Sequence, residues 1–185
     1  MAKLPVRWTN SGFSLLLALL SPLWLFAQTD AHWYFGRKAA LNFNVNGNQS
    51  GPAVLSNNVM VTPEASATIS DNNGNLLFYT NGVVVYNRNH QIMANGDGLN
   101  GDASACQIAV VPLPGSDKLF YIFTTDAFEN DFLSGYYYSV VDMSGDGGLG
   151  DVVSKNNLLW SSGSERITAI RHANGIDVWI ITNDL

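Results

Sequence analysis

The sequence predicts an all-β fold: antiparallel meander repeats forming a partial β-propeller, with a β-sandwich as the alternative. Three observations carry that expectation. Residues 69–87 read strand, turn, strand, turn, strand with almost no linker. Similar apolar strands recur downstream, and each closes on Thr followed by Asn or Asp: Thr80-Asn81, Thr125-Asp126 and Thr182-Asn183. Thr80 to Thr125 is 45 residues and Thr125 to Thr182 is 57, the longer interval holding an extended hairpin around residues 145–150. Periods of about 40–50 residues, each holding one small antiparallel sheet, mark propeller blades. Finally, no stretch after residue 30 carries a long apolar stripe at the helical period.

Residues 1–27 have the makeup of a secretory signal peptide. Lys3 and Arg7 give a basic start, residues 13–26 an apolar core broken by Pro22, and Ala27 a cleavage edge before Gln28. The apolar run is shorter than the roughly 20 residues needed to span a bilayer, so no membrane insertion is expected after cleavage. Residues 28–185 then form an incomplete propeller-type domain of about three blade-like repeats.

In the mature part, residues 41–45 alternate apolar and polar as a half-buried strand should, and Asn46-Gly47 ends them. A short strand is expected at Ala53–Leu55. The first full repeat starts with a strand at Ala67–Ser70. It turns through Asp71-Asn72-Asn73-Gly74-Asn75, where Asn and Gly tolerate the positive φ of a tight hairpin. Leu76–Thr80 is apolar enough to be buried on both faces. Asn81-Gly82 turns the chain again, and residues 83–86 make a third strand. Residues 87–102 read as an extended surface connection. The second repeat runs through residues 108–112 and 119–126, the third through 167–172 and 176–183. Phe78, Phe123 and Ile180 each stand two residues before their aligned Thr, so they are expected to share one face. The third repeat stops without a third strand, which implies a longer protein and apolar edges left exposed at both ends.

Composition narrows the functional classes. Only 13% of residues are charged, 46% are hydrophobic and 17 are Gly, with a net charge of −6 and a pI near 4.7. Lys and Arg occur singly or in pairs such as Arg37-Lys38, without the clusters that phosphate backbones require. Nucleic acid is therefore set aside as a partner. Cys106 is the only cysteine, so no internal disulfide forms, and its neighbours Ile108, Val110 and Val111 suggest a small buried thiol.

No catalytic motif stands out. Asp142-Met143-Ser144-Gly145-Asp146-Gly147 imitates the start of a calcium loop, but Val153 occupies the twelfth position where a bidentate Glu belongs, so a Gly-rich hairpin is expected. Residues 71–75 resemble a sialidase Asp-box only loosely. His32, His90 and His172 show no metal-ligand spacing. Glu64, Asp71, Asp97, Asp102, Asp126 and Asp131 could supply a glycosidase pair only if folding brings two of them within about 5–10 Å. No catalytic, cofactor-binding or metal residue is assigned, no cofactor is expected, and the ligand-binding residues are left unassigned.

The residues also resemble a known family. Trp33-Tyr34-Phe35-Gly36, the run of residues 70–82, and Tyr86-Asn87-Arg88-Asn89-His90 are similar to the N-terminal region of large secreted surface proteins of gliding Bacteroidetes. So are Val111-Pro112-Leu113-Pro114-Gly115-Ser116, residues 121–124, residues 138–143 and His172-Ala173-Asn174-Gly175. Members of that family have a β-propeller followed by PKD repeats and a sorting domain for type IX secretion. Where they often carry Ser-Thr-Gln, this chain has Ala105-Cys106-Gln107. The resemblance implies export and surface display and supplies no catalytic residues. Together with the lack of catalytic motifs it leads to the expectation of a non-enzymatic adhesion or interaction module with an extracellular glycan or protein ligand. The rival expectation is a secreted carbohydrate-active hydrolase with its site at the channel mouth.

The leader yields the first test. N-terminal sequencing of exported protein should start at Gln28, and a retained stretch from Met1 to Ala27 would contradict the cleavage edge.

Overall fold

A computed structural model describes residues 29–44 and 51–183. The expected signal peptide, the end of the first predicted strand at Val45 and the Asn46-Gly47 turn lie outside the described residues. The fold is all-β. Its helical content among the described residues is two single 3₁₀ turns, Phe128–Asn130 and Asp146–Gly148.

Among the described residues, twelve strands form four antiparallel sheets in chain order. The first holds β1 (His32–Phe35), β2 (Ala39–Asn42) and β3 (Ala53–Leu55). The second holds β4 (Ala67–Ser70), β5 (Leu76–Thr80) and β6 (Val85–Asn87). In the third, β7 (Ala109–Pro112), β8 (Leu119–Thr124), β9 (Tyr136–Asp142) and β10 (Asp151–Trp160) follow one another as a meander. The fourth pairs β11 (Ile167–Arg171) with β12 (Val178–Thr182).

The turns form for local reasons. Asp71 accepts hydrogen bonds from the Asn73 and Asn75 amides through Oδ1, and Gly74 takes φ +79°. This closes the β4–β5 hairpin with the residues the sequence offered for it. Asn81 does the same after β5, accepting from the amides of Val83 and Val84. The Asp142 loop is a hairpin turn between β9 and β10, as expected, with Asp142 Oδ1 accepting from the Ser144 amide and hydroxyl.

Consecutive sheets pack face to face. Tyr34 and Ala40 of the first meet Tyr79 of the second, together with Met60. Phe78 and Val85 of the second meet Phe120, Ile122, Val141 and Val152 of the third. Ala109 and Tyr136 of the third meet Ile167, Ala169 and Ile180 of the fourth. The leading strands are neighbours in the same order, β1 beside β4, β4 beside β7 and β7 beside β11. Because side chains alternate along a strand, a sheet with a neighbour on each side must be apolar on both faces. β5 shows this directly: Phe78 and Tyr79 are adjacent, both are fully buried, and they serve different clusters.

Three sequence expectations need correction. Residues 87–102 are not a loose surface connection, because Met93 and Leu99 are buried in the core between the second and third sheets. Backbone bonds from Val85 N to Gly96 O, Met93 N to Val85 O and Leu99 N to Val83 O lay the segment along β6. Its approach to β8 is so close that a Cβ on Gly101 would lie 2.6 Å from Gly82 O and 2.8 Å from Thr124 Cβ. Second, the apolar side of residues 41–43 is not the buried one: Ala40 enters the core, whereas Leu41 and Phe43 share the uncovered side. Third, the repeat alignment slips by one residue in its last member. Phe78 and Phe123 face the sheet that follows, but Ile180 faces the sheet that precedes. Ile181, not Ile180, is the counterpart of Phe78.

Core position decides energetic weight here. Phe78→Ala removes a fully buried ring that meets Phe120 edge-on at 5.6 Å between centroids. It should cost about 3–5 kcal/mol of unfolding free energy in urea titrations, whereas Val54→Ala, at a side chain 83% exposed, should stay within about 0.5 kcal/mol.

Candidate functional site

The second, third and fourth sheets border a cavity of about 420 Å³. Residues 66–69 of the second sheet, 107–110 of the third and 167–169 of the fourth line it, and Asp30, just before β1, completes the border. The groove is thus shared by three sheets and the approach to the first. At one end of it the segments leading into the strands bring together residues far apart in sequence. The Cys106 thiol donates to Glu165 Oε2 at 3.0 Å and lies 3.8 Å from Glu64 Oε2.

Cys106 is exposed, not buried as its neighbours suggested. It precedes β7 and faces the groove mouth, so the apolar residues that follow it say nothing about its own surroundings. The hydrogen bond to Glu165, helped by desolvation and by the negative charges of Glu165 and Glu64, pushes its pKa up to about 11. A thiol held protonated in this way is a poor nucleophile at neutral pH.

Beside this trio, residues 126–134 form a loop clamped across its base by Asp126. Its Oδ1 accepts from the Ala127 amide and Asn130 Nδ2, and its Oδ2 accepts from the Ser134 amide. Burial works against charge on Asp126, but these hydrogen bonds outweigh it and hold the carboxyl below its ordinary range. Asn130 Nδ2 also donates to Asp102 Oδ2, and Glu165 Oε1 accepts from the Phe128 amide. Two consecutive residues, Asp131 and Phe132, take left-handed φ values of 53° and 55°. Each costs roughly 1–2 kcal/mol for a residue with a Cβ. Phe128 and Leu133 stand exposed on the loop, with Phe132 edge-on to Phe128.

The acidic residues singled out in the sequence thus divide. Glu64, Asp102 and Asp126 converge on this mouth, joined by Glu165, which no local motif marked. Asp71 is used by its hairpin, Asp97 meets Lys155 at 3.8 Å, and Asp131 stays exposed on the loop.

The histidines divide as well. His32 and His90 flank Tyr34, with ring centroids 6.4 and 5.5 Å away, and Tyr34 stacks on Tyr79 at 4.4 Å. His90 bonds to Asn57 at 2.8 Å and to the Tyr79 hydroxyl at 3.3 Å, while His32 meets the Ser70 hydroxyl. His172 is apart from both, against Trp179. Among the described residues no group of three or more His, Cys, Asp or Glu is placed to hold a metal ion, and no helix is long and apolar enough to cross a membrane. No protein-family model matches the chain, and neither the curated proteins nor the solved structures contain a match.

Burial lowers the pKa of both His32 and His90 below 6.5. The unfolded chain then binds more protons than the folded one between the folded pKa values and 6.5, so stability rises with pH across that window. The stabilisation is fully present above 6.5 and drains as pH falls from there. Urea midpoints taken between about pH 7.5 and 5.5 should therefore decline on acidification, and His90→Gln should flatten the decline.

Proposed function

We propose that the chain is an exported, non-enzymatic interaction module of β-propeller type, displayed at or beyond the cell surface. Its ligand is an extracellular glycan or protein. Support for the propeller reading over a sandwich comes from the order of packing: four sheets stack in sequence, their leading strands are neighbours in that order, and those of the second, third and fourth border one groove. The export route is the one the family resemblance implies, type IX secretion.

The observation that carries the binding reading is the loop of residues 126–134. It spends backbone strain at Asp131 and Phe132 while leaving Phe128 and Leu133 in water beside carboxylates. Strain of this kind persists where the surroundings over-determine it, and it gathers at binding sites. Aromatic faces for stacking and carboxylates for accepting hydroxyl or amide protons suit both a sugar and a peptide. Paired Phe128→Ala and Leu133→Ala substitutions should weaken retention on the extracellular polysaccharide or envelope protein that the wild type binds by tenfold or more, with melting unchanged. Undiminished retention would remove the loop from the site.

A second reading has its own observation. Glu64 and Glu165 both contact the same thiol, at 3.8 and 3.0 Å, so their contacting oxygens are no more than about 7 Å apart, and a glycosidase needs two carboxyls about 5–10 Å apart. The Cys106 thiol occupies a hydrogen-bonding position on Glu165 and contacts Glu64, which favours binding over catalysis. Turnover of a polysaccharide that is abolished by both Glu64→Gln and Glu165→Gln would reverse that order.

A further inference from the structure

The groove is lined by runs of consecutive residues: 66–69 leading into and along β4, 107–110 into and along β7, and 167–169 along β11. Successive side chains of a strand point to opposite faces, so a strand that lines a space with consecutive residues meets it edge-on. β4, β7 and β11 are each the edge strand of their sheet, and none has a strand partner on its free side among the described residues. The groove is therefore walled by three sheet edges, each a row of backbone N–H and C=O groups. Part of this is already used: the Ser70 amide donates to the Thr29 carbonyl, and the Ile167 amide to Gln107 Oε1. The lining also offers the hydroxyls of Ser66 and Thr168, the Gln107 side chain and the carboxylates of Asp30 and Glu64. No Lys or Arg is among the lining residues described.

We propose that the groove binds an uncharged sugar, a short stretch of neutral glycan held by backbone and side-chain hydrogen bonds. This rests on the interaction-module reading above and chooses the glycan over the protein. A peptide recognised at a sheet edge lies along one strand, about 4.8 Å away, and pairs with that edge alone. Here β4 is beside β7 and β7 beside β11, so three edges offer donors and acceptors to one space. A sugar matches that arrangement, because its hydroxyls ring the molecule and each can both donate and accept. The volume of about 420 Å³ is that of a small-ligand site, roughly 300–1,000 Å³. Charge then selects among sugars. A cleft lined by one sign of charge repels ligands of the same sign, so Asp30 and Glu64 turn away uronates and sulfated sugars while accepting hydroxyl protons from neutral ones. At the mouth the exposed Phe128, its amide held by Glu165, presents a ring on which the apolar face of a sugar can stack.

The single cysteine is a built-in reporter, since Cys106 lines the groove and is exposed. On an array of glucan, mannan and chitin oligosaccharides, with oligogalacturonate and heparin fragments as anionic members, the exported protein should retain neutral members and not the anionic ones. At saturation the retained sugar should slow alkylation of Cys106 at mildly alkaline pH by about fivefold or more, because sites of this size cover most of what they bind. Ser66→Trp, which fills the groove, should weaken retention by about tenfold or more, and Asp30→Asn should narrow the gap between neutral and anionic members. Alkylation needs no variant, so it decides the matter even where Ser66→Trp does not fold. A sugar that binds without slowing alkylation overturns the groove assignment and leaves the interaction-module reading standing. Retention of an envelope protein with no oligosaccharide bound does the same. Anionic members held as well as neutral ones overturn the class of ligand. Failure to retain either a sugar or an envelope protein overturns both readings.

Discussion

The constraint on which the structure depends is the two-fold alternation of side chains in a strand that has neighbours on both sides. Phe78 and Tyr79 are consecutive, so one must point forward along the stack and the other back. Both are fully buried because both directions are occupied. The same rule sets β8, where Ile122 packs toward the second sheet and Phe123 toward the fourth. A sheet facing water on one side would need polar residues at every second position. The central strands lack them, and that makes stacking the only way to bury them.

Much of the fold was legible because it rests on this alternation and on turn chemistry. Asp71, Gly74, Asn81 and Gly82 act where their side-chain oxygens and tolerance of positive φ indicate. What escaped was set by tertiary contact. Met93 and Leu99 sit among Asn and Gly residues, and only the edge of β6 turns that segment into core. Phe43 reads as an inward residue by pattern, yet the partner that would cover it is not a neighbouring sheet of the described chain. The one-residue slip in the third repeat is likewise set by packing: Thr182 pairs with Ile167, Ile167 faces the third sheet, and Ile180 on the same side faces it too.

The mouth of the groove was the least legible part. Glu64, Cys106 and Glu165 stand 42 and 59 residues apart, and nothing local joins them. They meet because each precedes the leading strand of its own sheet and those strands lie side by side. A hydrogen-bonded, protonated thiol between two carboxylates is the product of that topology. The clamp of Asp126 across its loop is likewise invisible until Ser134 is folded back onto it.

Face-to-face stacking in chain order also shapes how the molecule comes apart. Each sheet is held by its immediate neighbours, so the stack behaves as a short one-dimensional array whose cohesion is a sum of adjacent interfaces. Among the described residues the fourth sheet has two strands and one covered side, and its link to the third includes Tyr136, whose hydroxyl meets Ser164 and the Asn183 carbonyl. Loosening there begins at an end and removes one wall of the groove while the interior interfaces stay closed. Cohesion of the outermost sheet is thus also the integrity of the groove.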